Sequence, residues 1–184
     1  MPPVHYAIPV VRNLVEYAAI VAWWGALLVL RAGGWLPAGT VAVLVVLGCW
    51  VKAAFFGAEN FRQLFDAART NLPHHRFLLL MGVNASQMVL AFALDFHVLQ
   101  LCNAGSFDGI AADAGQGELL FDFIYLSTLN FSFFGYSDIL PRTVPAKIVN
   151  LTEIVLAFVT VIVMLSDFIS LKDSLRDPQN DSRS

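Results

Sequence analysis

Charge is what this chain has least of: 14% of its 184 residues are Asp, Glu, Lys or Arg, while 58% are hydrophobic, a balance that soluble domains rarely show. Its net charge is -3 and it holds no basic run, which removes nucleic acid as an expected partner. The two cysteines, Cys49 and Cys102, stand far apart in apolar stretches with no CxxC and no His–Cys cluster. That argues against a redox motif or a structural zinc and leaves buried free thiols. HExxH and GxSxG are absent too, and the acids inside apolar runs are isolated rather than paired, so an intramembrane enzyme is disfavoured and no catalytic residue is expected. No arginine repeats at every third position in the first two apolar runs, which excludes a voltage sensor of the known type.

What the chain has instead is long apolar runs: Leu14 to Leu30, Thr40 to Phe56, Phe77 to Leu101 and Val144 to Ser170, each near the roughly 20 residues a helix needs to cross a bilayer. The first run also fits the apolar region of a cleaved signal, with Arg12 before it and Ala32, Gly33 and Gly34 after. It is long for that purpose and carries Trp23 and Trp24, so a retained span is the expectation. Gly33, Gly34 and Pro37 predict a tight turn that makes the first two spans an antiparallel hairpin. From Glu59 to Arg76 the character changes. Phe61, Leu64, Phe65 and Ala68 recur at helical spacing with Arg62, Gln63, Asp66 and Arg69 between them, which predicts an amphipathic helix on the membrane surface, ended by Pro73; the alternative is a solvated loop continuing the second span. The third run holds Asn84, Ser86, Gln87, Asp95 and His97, polar groups that at such depth face the bundle interior. Asp95 and His97 lie two apart, on different sides of a helix, so they form no metal pair, and His97 reads as a packing residue.

Between the third and fourth runs lies a glycine-rich loop with Asp108, Asp113 and Glu118, then a short helical stretch, Leu119 to Phe131. The segment Thr128 to Pro141, TLNFSFFGYSDILP, is too short and too broken by Gly135, Ser137 and Pro141 to be a span. A dip between two spans is the natural reading. Irregular backbone at membrane depth must be buried in protein or line a watery cavity. A ring of carbonyls from four copies of one loop can replace the hydration shell of an ion, and Gly135 suits the backbone angles this needs. The competing reading is an outer loop that happens to contain a Gly-Tyr pair.

FGYSD followed by ILP resembles the filter of the prokaryotic potassium-channel pore family, whose usual pattern is TVGYGD followed by an apolar pair and proline. Gly135, Tyr136, Asp138 and Pro141 match; Phe133, Phe134 and Ser137 depart. The resemblance covers about Phe77 to Ser170. It implies an all-α integral membrane protein of four transmembrane helices with a re-entrant pore helix and filter loop between the third and fourth, assembling as a homotetramer in the lipid bilayer. It also implies passive conduction, with potassium, and sodium beside it, as the permeant ion. On the resemblance, Ser132, Phe133, Phe134, Gly135, Tyr136 and Ser137 hold the ion, mainly through backbone carbonyls. Tyr125 takes the place of a bracing aromatic, Asp138 follows the filter, and Glu153, fifteen residues after Asp138, matches a glutamate that some prokaryotic members keep behind the filter. Tyr136 or a loop amide is the expected partner of Glu153, the alternative being a place at the pore mouth. Ala157 stands where the family often has a hinge glycine.

The departures bear on selectivity. Phe133 removes the threonine hydroxyl that completes the innermost ion site. Ser137, at the second glycine position, must either accept a left-handed conformation or redirect a carbonyl. Selectivity is therefore open between intact, relaxed and lost, and a modest preference for potassium over sodium is expected. The chain divides into an N-terminal hairpin (1–57), an interfacial linker helix (58–76), a pore module (77–170) and a short polar tail (171–184). With Arg12, Lys52, Arg62, Arg69, Arg76, Lys172, Arg176 and Arg183 on one side and Arg31, Arg142 and Lys147 on the other, both termini are expected in the cytoplasm of a multi-pass protein of the cell (plasma or inner) membrane. Gating is left to lipid, pH or a regulatory partner chain. A reading from another class also stands: a non-conducting or regulatory membrane subunit that keeps the pore fold.

Overall fold

The structure, a computed structural model, describes residues 10–70, 74–111, 113–133 and 137–176; the side chains described are those of 11–65, 76–111, 113–133 and 137–165. Among the described residues five helices and one small strand pair follow one another: α1 (Val10–Ala32), α2 (Ala38–Thr70), α3 (His74–Cys102), β1 (Phe107–Asp108), α4 (Gln116–Phe131), β2 (Leu140–Pro141) and α5 (Val144–Arg176). Four of the helices contain stretches long and apolar enough to cross a membrane: Val11–Ala32, Ala38–Phe65, Arg76–Cys102 and Val144–Leu165. The chain is thus a mainly helical, multi-pass membrane protein.

The turn between α1 and α2 forms for local reasons. Gly34 takes φ 68°, a left-handed conformation that ends α1, and the amides of Thr40 and Val41 bond back to the Pro37 carbonyl as α2 begins. The two helices then diverge: α1 packs mainly on α3, while α2 lies between α3 and α5. The surface helix anticipated over Glu59–Arg76 is not a separate element, because α2 runs unbroken from Ala38 to Thr70. At Asn60, α2 is fastened to its neighbours by buried polar contacts, while Phe61 and Phe65 beyond it are exposed. Asn60, fully buried, donates to Thr160 of α5 at 2.7 Å and accepts from Asn84 of α3. Pro73 lies outside the described residues.

The core follows α3, whose Phe92 and Phe96 are fully buried. Phe96, Phe107 and Phe123 form an aromatic cluster with ring centroids 4.9–6.1 Å apart, joining α3, β1 and α4. Edge-on and tilted packing of this kind suits the ring quadrupoles. In α5 no break occurs between Val144 and Arg176, so Ala157 sits within a continuous helix.

Candidate functional site

The segment from Cys102 to Val144 starts and ends at one end of the bundle. β1 and β2 pair antiparallel, with Phe107 opposite Pro141 and Asp108 opposite Leu140. The Arg142 amide donates to the Ser106 carbonyl at 2.8 Å, and the Arg142 guanidinium pairs with Asp108. Ser106 is tied in turn to the last turn of α3 through the Leu99 carbonyl (3.0 Å). Gly109 completes this clasp. Its φ is 83°, and a Cβ there would lie 2.0 Å from the Asp138 carbonyl oxygen, so only glycine fits.

Inside the clasp, α4 runs away from that end. With sixteen residues it is about 24 Å long, short of the ~30 Å hydrocarbon core. Its Ser127 donates to the carbonyl of Val89, thirteen residues or about 20 Å down α3 from Cys102. Past Ser132, Phe133 sets its ring 6.1 Å from that of Phe158, fourteen residues or about 21 Å along α5 from Val144. The helix therefore descends well into the bundle. At its end the Ser132 amide bonds to the Thr128 carbonyl and the Phe133 amide to the Asn130 carbonyl. The helix macrodipole places partial negative charge there, which favours a cation beyond the last turn.

Glu153 fixes this descent. It is 2% exposed, and its partners among the described residues are Ser127 and Asn130, the latter donating at 2.6 Å; Asn130 also donates to Asn150 at 2.9 Å. Both of these partners lie on α4; Tyr136, the partner expected from the resemblance, lies outside the described residues. A carboxylate at this depth is stable only because hydrogen bonds replace its water.

The remaining sequence-derived positions are placed as follows. Phe134, Gly135 and Tyr136 lie outside the described residues. Ser132 and Phe133 are exposed at the end of α4, and Ser137 is half-buried with its hydroxyl accepting from the Ile139 amide at 3.0 Å. Asp138 is exposed; Tyr125 is exposed on α4, and a brace from it to residues 134–136 would fall outside the described residues. The sequence points to Ser137 as the place of backbone strain; the left-handed non-glycine residue that the structure describes is Phe133, with φ 57°. Among the described residues no group of three or more His, Cys, Asp or Glu is arranged to hold a metal ion.

A second polar site escapes the sequence pattern. Lys52, which counts by sequence among the cytoplasmic charges, lies within the span of α2 and pairs with buried Asp95 of α3 at 2.5 Å; it also donates to the Ala91 carbonyl at 3.2 Å. Its ammonium sits 5.9 Å from the Phe92 ring centroid. A lysine inside an apolar run and an acid inside another are each a signal, and together they point to a pair. His97 is a packing residue, as expected: its Nδ1 accepts from the Trp24 indole at 3.3 Å, and Gln116 at the start of α4 hydrogen-bonds it. Cys49 and Cys102 are free thiols. Compared with protein-family models, with curated proteins and with solved structures, the chain matches none.

Proposed function

We propose that the chain is one subunit of a tetrameric, passive cation channel of potassium-channel type, with residues 132–137 as its filter and potassium as the preferred ion. The observation that carries this reading is the excursion between α3 and α5: it leaves one end of the bundle at β1, descends about 20 Å on α4, and is back at β2 seven residues after Phe133. Seven residues reach at most about 25 Å, so the return has little slack, which is what a column of inward carbonyls requires. A re-entrant helix that stops short of crossing, with its negative end aimed at the loop, is an arrangement suited to cations.

One chain brings one loop, so a closed carbonyl ring needs several copies, and fourfold symmetry gives four. Glu153 acts as the strut that sets the height and tilt of α4 behind the loop. The charge asymmetry, with Lys52 now removed from the count, still puts Arg12, Arg62, Arg69, Arg76, Lys172, Arg176 and Arg183 opposite Arg31, Arg142 and Lys147 and supports cytoplasmic termini.

Native mass measurement in mild detergent should give a tetramer, and purified protein in liposomes should pass cations. Reversal potentials in mixed potassium and sodium should show a modest potassium preference. A stable monomer or dimer with no cation flux overturns the channel; strong potassium selectivity would show that carbonyl number outweighs the side chains at Phe133 and Ser137.

A further inference from the structure

Phe133 is placed with unusual care for an exposed residue. It occupies the position just after the α4 cap, where helices commonly use glycine because the backbone is left-handed, and it holds that conformation with a bulky side chain. The turn sends its ring toward α5, where it meets Phe158 edge to face, with planes 86° apart. Neither ring is buried: 43% of Phe133 and 57% of Phe158 are exposed. On α5, Phe158 belongs to an exposed stripe with Leu151, Val155, Ile162 and Leu165, while Glu153, Ala157 and Thr160 are buried against the other helices. The two rings thus touch each other while each keeps about half of its surface uncovered in the single chain.

We propose that Phe133 and Phe158 form an apolar collar at the α4 end of the loop, one aromatic pair from each chain, which limits the entry of water and ions into the filter. This inference rests on the channel reading: if residues 132–137 line the axis, the ring that touches Phe133, near their α4 end, from α5 stands at the mouth. A narrow apolar passage drains of water, and an ion crossing it gives up hydration without receiving oxygens in exchange. The phenylalanine at the threonine position then has a function of its own. It replaces a hydroxyl ligand by half of a gate.

The test is single-channel recording of the purified tetramer in planar bilayers, comparing the parent with Phe158→Asn and Phe158→Leu. The asparagine should raise unit conductance, or the open fraction, by roughly threefold or more, because it lets water into the collar, while leucine stays within about twofold of the parent. Reversal potentials should not move in either, since Phe158 lies on α5 and contributes no carbonyl to residues 132–137. If Phe158→Asn fails to assemble, Phe158→Ala, which widens the passage without adding a polar group, should give the same rise. A conducting parent whose conductance none of these variants changes overturns the collar and leaves the channel standing. Silence in the parent together with flux in Phe158→Asn supports a closed collar, and silence in every assembled variant overturns the channel reading and the collar with it.

Discussion

α1 and α3 are near equals in hydropathy along their spans, yet 6% of the span in α1 is buried against 50% in α3. The difference lies in where each helix keeps its polar groups. In α3, Asn84, Gln87, Asp95 and His97 are all buried along its length, whereas the charged residues of α1 stand at its two ends, Arg12 and Glu16 in its first two turns and Arg31 in its last. Hydropathy reports only that a helix is eligible for the bilayer. The polar residues report its place within the bundle, because each needs a partner supplied by another helix. Lys52, Ser127, Trp24 and Asn60 reach α3 from α2, α4, α1 and α2 in turn.

If α3 is the hub, breaking its buried ion pair should cost most. Lys52→Met leaves Asp95 charged and without its counterion, and about 3–5 kcal/mol of stability should be lost. Adding Asp95→Leu should return most of it. Thermal unfolding in detergent reads both, and an unchanged midpoint in Lys52→Met would remove α3 from its central role. Gly109→Ala should come next, at about 2 kcal/mol or more, since it combines a left-handed backbone with a collision against the Asp138 carbonyl. On the channel reading proposed above, its sharper signature would be cation flux, which should fall with the oligomeric state unchanged, because the clasp joins the two ends of the segment between α3 and α5 rather than the spans. The smallest effect is expected at the edge of the bundle. Trp24→Phe removes the indole donor to His97 and keeps the ring, for about 0.5–1.5 kcal/mol. A loss there equal to that of Lys52→Met would erase the contrast between the two helices.

Much of this organisation is legible in the order of the amino acids. The four spans, the short helix ending at Phe131 and the inward direction of the polar residues of α3 follow from run length and periodicity, and α4 begins three residues earlier than those signals predict. What escapes them depends on the rotation and depth of one helix against another. Nothing in periodicity says that Asn60 will meet Thr160, a hundred positions away, so the charged half of α2 reads as a surface helix. The resemblance expects Glu153 behind the loop, but its partners Ser127 and Asn130 depend on how far α4 descends, which only packing decides. Lys52 reads as a surface charge because one lysine between apolar neighbours looks alike at an interface and in a bundle. The broken glycine pattern directs attention to Ser137 for a left-handed residue; the way α4 ends puts one at Phe133.

The clasp of β1 on β2 divides the outer segment into two lengths of different standing. Between Gly109 and Gln116 the chain has only to reach the start of α4, and residues could be added or removed there as they are in ordinary surface loops. Between Phe133 and Leu140 both ends are held, one beside Phe158 and the other in β2. A change of length between them would have to be absorbed without moving either end, a demand that a change of residue type does not make.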